Sequence, residues 1–243
     1  LARMTQFPGL PTRDEIHLWV ATGLLSPDLD TALDIVAPEE QERARRFRFE
    51  TDRWRYLGGA LLQRLVLARY LSCSFEDVSY SRNQWGKPSM DRSHNSAIQF
   101  SLSRSHKVAL FAVCEGVEVG ADLEYGLGKN ARDLGVAGIF CREEQAFVSR
   151  AADPNRAFFE IWARKEAYIK GIGRGLSHPL GEFDVTPGKS IVHDWSVDTP
   201  SQAWQVRSIE LPDVGYGAAI ATPWSSPSIE MIEIDSGELL AVL

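Results

Sequence analysis

The stretch Trp162-Ala163-Arg164-Lys165-Glu166-Ala167-Tyr168-Ile169-Lys170 decides how this chain is read. It closes a run from Pro154 to Lys170 with helix-forming composition and a polar start. Helical spacing places Trp162, Glu166 and Lys170 on one stripe, each four residues from the next. Phe158, Phe159, Ile161, Ile169 and Ile172 make the helix strongly apolar elsewhere. Two readings stand. One is an i,i+4 ion pair on an exposed face, a common helix stabiliser, and spacing alone favours it. The other is a carboxylate and an ammonium held for chemistry.

The 243 residues give room for one large domain or two small ones, each with a real core. Hydrophobic content of 44% and charged content of 24% are those of a soluble globular protein. No apolar run is long enough to span a bilayer. Leu1-Ala2-Arg3-Met4 lacks the basic-then-apolar layout of a signal peptide. Cys73, Cys114 and Cys141 are widely spaced, so reduced thiols and a cytoplasmic location are expected. The five histidines form no H-x-x-x-H or H-E-x-x-H pattern. Soft-metal chemistry is disfavoured, and a hard metal on carboxylates stays open. A net charge of -7 disfavours general nucleic-acid binding. Positive charge is concentrated locally, however: Arg43, Arg45, Arg46, Arg48, Arg53 and Arg55 fall close together. They form either an anion site, most naturally for phosphate, or a solvated face balanced by Glu39, Glu40, Glu42 and Glu50.

Taken outward, the chain reads as helices and strands mixed. Residues 15–21 read as a strand. Pro38 with Glu39 and Glu40 starts a helix running to about Phe49. Thr51 or Asp52 caps a second, long helix whose leucines recur at helical spacing. Gly58-Gly59 in its middle costs helix propensity. Close approach of a backbone, of a ligand or of a packed neighbour would explain the pair. Phe75–Tyr80 reads as a strand and Asn83–Pro88 as a turn with an exposed Lys87. Ile98–Ser103, Val108–Cys114 and Val117–Glu124 read as strands, with a hairpin at Glu115-Gly116. Residues 125–135 read as a loop or short helix. From Cys141 the first half is echoed: C-R-E-E-Q-A-F resembles P-E-E-Q-E-R-A, and each precedes a long helix and then strands. In the second half those strands are 182–185, 203–211, 217–221 and 229–234. The expected fold is α+β, with two similar halves, 1–120 and 121–243, and a site in the cleft between them.

Gly120-Ala121-Asp122-Leu123-Glu124 supplies the second constellation. On a strand, Asp122 and Glu124 share one face, and Val117, Val119 and Leu123 suit the buried one. Two carboxylates on one face suit a divalent cation or a wet strand edge. Phe100-Ser101-Leu102-Ser103-Arg104-Ser105 places hydroxyls and a guanidinium at a strand end, a further phosphate-binding combination.

In order, R-R-F, G-K-P, F-S-L-S-R-S, G-A-D-L-E and W-A-R-K-E-A-Y-I-K-G-I-G-R-G-L closely resemble the 4′-phosphopantetheinyl transferases of the large, monomeric, surfactin-synthetase-activating type. The resemblance covers about Pro38 to Leu180 and carries the family's pseudo-twofold α+β fold. It implies transfer of the phosphopantetheine arm of coenzyme A to a serine of an apo acyl, peptidyl or polyketide carrier protein. Mg²⁺, or Mn²⁺ in its place, assists, and adenosine 3′,5′-bisphosphate leaves. Asp122, Glu124 and Glu166 match the metal-binding carboxylates. Lys170 matches a lysine on the coenzyme A phosphates. Lys87 and Pro88 match the segment beside the adenine. Arg43 and Arg55 match basic positions for the 3′-phosphate, and Ser103 and Arg104 match a Ser-His pair on coenzyme A. Glu144 falls where relatives carry a carboxylate proposed as the base, a metal-bound water being the other candidate. Arg104 in place of His keeps a cationic donor and loses a titratable one. Glu40 stands where some relatives have a basic residue. Two rival readings are a non-catalytic module binding coenzyme A or a carrier protein, and an unrelated Mg²⁺-dependent phosphohydrolase.

Overall fold

A computed structural model describes residues 7–127, 137–189, 191–196, 203–213 and 215–241. The protein is α+β, as expected, and divides into two compact units. The first contains the chain up to Ser81, Pro88–Gly116 and the return from Ser228. The second contains Arg82–Lys87 and Val117–Pro227. This division departs from 1–120 and 121–243 because the C-terminal strand pairs with the N-terminal one. Most of the 125–135 loop lies outside the described residues.

In the first unit, β1 (Glu15–Thr22), β4 (Ile98–Ser105), β5 (Val108–Glu115) and β11 (Ser228–Asp235) form a sheet in the order β11-β1-β5-β4. β11 runs parallel to β1, and the other pairs are antiparallel. α1 (Pro38–Arg45) leads to α2 (Glu50–Leu71), whose Leu57, Leu61 and Leu62 are fully buried with Trp19 and Phe111. Register places His17 opposite Glu230. The buried imidazole lies 3.3 Å from that carboxylate through Nε2 and 2.6 Å from the Tyr70 hydroxyl through Nδ1, so it clasps the parallel pair.

In the second unit, β6 (Gly120–Tyr125), β9 (Gln205–Ser208) and β10 (Tyr216–Thr222) form an antiparallel sheet in the order β6-β10-β9. α3 (Arg142–Arg150) precedes α4 (Pro154–Ile172), which lies on β6 and β10. The face under α4 has glycines where the helix comes closest. A Cβ at Gly120 would overlap the Ala167 carbonyl oxygen and lie 2.9 Å from Gly171 Cα. One at Gly217 would lie 2.6 Å from Phe159 O. Backbone-to-backbone approach therefore requires glycine there.

The echo between the halves extends to individual atoms. Glu40 and Glu144 each accept the backbone N–H three residues back, from Ala37 at 3.0 Å and Cys141 at 3.1 Å. Each then pairs with a buried cation of the following long helix: Arg64 at 2.5 Å and Lys165 at 2.8 Å. Gln41 and Gln145 donate to Val36 O and Phe140 O, five residues back in both cases.

Other expectations are corrected. The first helix ends at Arg45, and α2 begins at Glu50 after an extended Phe49, ahead of Thr51 and Asp52. Residues 75–79 form no strand, because the Phe75 and Val78 carbonyls accept from Arg64. The strand begins at Tyr80, as β2 (Tyr80–Arg82), and pairs with β3 (Pro88–Met90) around the Asn83–Lys87 turn. The hairpin joins β4 to β5 through His106-Lys107, with His106 at φ 49°, while Glu115-Gly116 leads out of the sheet.

Gly120→Ala is expected to cost about 1–3 kcal/mol, as overpacking against rigid backbone does. Gly138→Ala has open space around its Cβ and serves as the control. Urea unfolding of both variants reads the difference.

Candidate functional site

Asp122 and Glu124 lie on β6, and register pairs Asp122 with Ala219 and Glu124 with Gly217 of β10. Their side chains share the α4 face with Gly120. The expected division into a carboxylate face and an apolar face holds, yet the carboxylates lie under a helix: Asp122 is 3% exposed. Val119 and Leu123 bury the opposite face.

From α4, Lys170 donates to Asp122 Oδ1 at 2.6 Å. The i,i+4 partner of the sequence reading, Glu166, is half-buried beside them, and its Oε1 is buried with no hydrogen-bond partner among the described residues. Burial, then the Asp122 charge, push its pKa up to about 7, with Lys170 opposing and Glu124 adding to the rise. At Glu166, burial and the two neighbouring carboxylates thus outweigh the Lys170 ammonium. All of the donors are oxygens, and a buried one lacks a partner, which fits a hard divalent cation. The three are not a tight preformed cage, however. Among the described residues, the groups with three ligand atoms within 4.8 Å of one another are Glu15–His17–Glu230 and Cys141–Glu143–Asp184. The first is the strand clasp. In the second, burial pushes the Cys141 thiol up to about 12, and Lys189 pairs with Asp184, so no thiolate is offered. Trp162 stacks on Phe158 and packs near Phe140, which makes it a packing residue.

Glu144 differs from its expected role. It has no exposed surface. Oε2 takes Lys165 Nζ at 2.8 Å and the Cys141 N–H, and Oε1 takes the Val185 N–H at 2.9 Å. Lys165, which sequence reasoning passed over, is equally buried and also donates to Leu180 O and Phe183 O. A carboxylate so enclosed is a structural anchor; it does not reach solvent to accept a proton.

The arginine group resolves into different fates. Arg53 pairs with Asp30, Arg46 with Glu42, and Arg45 bonds to Gln41. Arg43 and Arg104 both lie against the Tyr56 ring, at 5.3 and 5.0 Å from its centroid. Arg55 donates to His106 O at 2.8 Å and pairs with Asp52. Burial, and the charges of Arg43 and Arg55, push Arg104 down to about 10, so it is still a cation at neutral pH. Arg43, Arg55 and Arg104 therefore converge, with Tyr56 as a residue that the sequence did not single out. Strand alternation turns Ser103 to the opposite face from Arg104, so the two do not act as one pair. Lys87 is not the exposed cation expected of a turn. It pairs with Glu118 and donates to Gly171 O at 2.7 Å, while Asn83 donates to Gly173 O at 2.9 Å. Pro88 opens β3 next to it.

Oxygen donors of the kind a hard cation takes and a separate set of converging guanidiniums are the donor types suited to a phosphate-bearing ligand. Residues 25–116 match the N-terminal part of the 4′-phosphopantetheinyl transferases, and residues 118–221 match the 4′-phosphopantetheinyl transferase superfamily. The chain is 31% identical over 214 residues to the 4′-phosphopantetheinyl transferase HetI of Nostoc sp., covering 86% of this chain and 87% of that one. It is 29% identical over 202 residues to the 4′-phosphopantetheinyl transferase Sfp of Bacillus subtilis, covering 82% and 81%. It is 28% identical over 196 residues to the enzyme gsp of Aneurinibacillus migulanus, covering 79% and 78%. The chain belongs to the 4′-phosphopantetheinyl transferase superfamily, in its Sfp-like branch, and is an enzyme of that class.

Glu144→Gln is expected to destabilise the protein by about 3–5 kcal/mol, because Lys165 loses its buried counter-charge. Chemical denaturation measures this. Glu166→Gln is expected to act in the opposite direction in chelator-treated protein. A carboxyl raised from 4.5 to about 7 on folding costs the wild type stability as pH rises through that window. The variant should match wild type below about pH 4.5 and exceed it by roughly 3 kcal/mol above pH 7. Denaturation midpoints across pH check the crossover.

Proposed function

We propose that this enzyme transfers the 4′-phosphopantetheine arm of coenzyme A to a serine hydroxyl of an apo carrier protein. Asp122, Glu124 and Glu166 would hold Mg²⁺, or Mn²⁺ on the same donors, and adenosine 3′,5′-bisphosphate would leave. The observation that carries the reading is the convergence of these three carboxylates and Lys170 from β6 and α4, with the Glu166 pKa raised to about 7 by burial and by the Asp122 charge. When bound, the divalent cation supplies charge neutralisation at the pyrophosphate.

The chain's own residues do the rest. Serine oxygen forms a bond to the β-phosphorus, the bridge to the adenosine bisphosphate breaks, and the serine proton goes to solvent or a base. Lys170, one turn from Glu166, has an ammonium that stabilises charge on the departing bisphosphate. Arg43, Arg55 and Arg104 hold the 3′-phosphate through charge-assisted hydrogen bonds. The Lys87–Pro88 turn, pinned by Lys87 on Gly171 O and Asn83 on Gly173 O, receives the adenine. Glu144 acts by fixing Lys165 and with it the rotation of α4. Ser103 supports the strand that carries Arg104. Among the described residues no helix is long and apolar enough to cross a membrane, and Cys73, Cys114 and Cys141 are unbridged. We take the enzyme to act as a monomer in the cytoplasm, as the family resemblance implies.

A panel of apo carrier proteins with coenzyme A and Mg²⁺, read by mass spectrometry, tests the proposal. Wild type should add the arm to at least one carrier. Asp122→Ala and Glu166→Ala should each slow transfer by about 10²–10³ or more while remaining folded. Near-normal turnover in either variant rejects the carboxylate assignment. Phosphate released from coenzyme A without a carrier would indicate a phosphohydrolase, and coenzyme A binding with no carrier modified would indicate a binding module.

A further inference from the structure

The pair Gly58-Gly59 in the middle of α2 costs roughly 2 kcal/mol of helix propensity relative to two alanines. Core packing accounts for Gly58. A Cβ there would lie 2.6 Å from Leu24 Cδ2 and 3.2 Å from Leu29 Cδ1, both apolar. Gly59 is different. The three atoms nearest its added Cβ all belong to one side chain, Arg104: Cδ, which it would overlap, Cγ at 2.9 Å and Nε at 3.2 Å. Gly59 keeps open the path along which the Arg104 stem crosses the helix.

That path has a defined end. Arg104 NH1 donates to Tyr56 O at 3.2 Å, and its guanidinium lies over the Tyr56 ring. Tyr56 and Gly59 are three residues apart and share a helix face. Arg43 lies against the same ring, and the Arg43 and Arg55 charges reach Arg104. Among the described residues Arg104 has no carboxylate within 4.0 Å. Asp52 pairs with Arg55 and the Glu40 charge reaches Arg104, so the three cations are compensated only in part from within, and an anion on them is favoured.

We propose that Gly59 is a positioning residue for phosphate recognition: by lacking a side chain it lets Arg104 reach Tyr56 and complete the guanidinium group with Arg43 and Arg55. The proposal rests on the reading of that group as the seat of the coenzyme A 3′-phosphate. An alanine at 59 meets a flexible stem instead of backbone, so Arg104 is displaced and the helix survives. Alanine also restores about 1 kcal/mol of helix propensity. Stability and phosphate affinity should then move in opposite directions, which a purely structural glycine would not allow.

The test is a cycle of wild type, Gly59→Ala, Arg104→Ala and the double variant, assayed with coenzyme A and with 3′-dephospho-coenzyme A. Gly59→Ala should raise the KM for coenzyme A about tenfold, corresponding to about 1.4 kcal/mol. The change should fall on KM more than on kcat, should be much smaller with the dephospho compound, and should leave the melting temperature equal or higher. In the Arg104→Ala background, Gly59→Ala should add nothing further. A KM within twofold of wild type, or a loss that adds in full to that of Arg104→Ala, overturns the positioning role. If Arg104→Ala itself treats both coenzyme forms alike, the phosphate reading fails first and the proposal with it. Should Gly59→Ala fail to fold, folding of the double variant supports the assigned clash, and failure of both overturns it.

Discussion

Each long helix is held by one glutamate, fully buried at Glu144 and partly buried at Glu40, that performs two tasks. Glu144 closes the first turn of α3 and neutralises Lys165 on α4, and Glu40 does the same for α1 and Arg64 on α2. A buried ion pair adds little net stability over an apolar one, but it specifies a single arrangement, since a shifted helix would leave two charges unpaired. That specificity matters most on α4. Lys165 and Glu166 are consecutive, so their side chains point about 100° apart around the helix. Fixing Lys165 on Glu144, Leu180 O and Phe183 O turns Glu166 and, a turn later, Lys170 toward β6.

The second constraint is how close α4 comes to the sheet. Gly120 and Gly217 remove the side chains that would hold the two backbones apart. Asp122, two residues along from Gly120, is consequently almost without solvent and within reach of Lys170. Close packing and electrostatics are thus coupled. The same approach that buries Asp122 raises Glu166, because water that would screen the two carboxylates is excluded.

Much of this was legible in the chain. The helical stripe of Glu166 and Lys170, the D-x-E strand and the repeated charge pattern at Pro38 and Cys141 are local signals, and local signals survive folding. The errors have a common cause in non-local partners. Arg64 takes the Phe75 and Val78 carbonyls, which removes a strand that the side-chain pattern suggested. His106 adopts a left-handed turn without glycine, while Glu115-Gly116 carries the usual turn residues and joins no hairpin. The pairing of β11 with β1 spans nearly the whole chain, and nothing local announces it. Glu144 shows the limit most clearly. An acidic residue at the third position of a helix reads alike whether it accepts a proton or caps the helix and anchors a lysine, and Lys165 lies in the very stretch that seemed best understood.

The charges also explain how a carboxylate is accommodated beneath α4. Asp122 alone beneath α4 would be a costly buried anion. Lys170 neutralises it from within the same unit, and its long stem leaves it partly exposed, 31% against 4% for the Asp122 side chain. Glu166 then carries the remaining imbalance as a raised proton affinity. A preformed tight cage of three carboxylates would have to pay their mutual repulsion in full. A looser group with an ammonium from α4 among its carboxylates lowers that repulsion within the fold, and its oxygen donors are of the type that a hard cation takes.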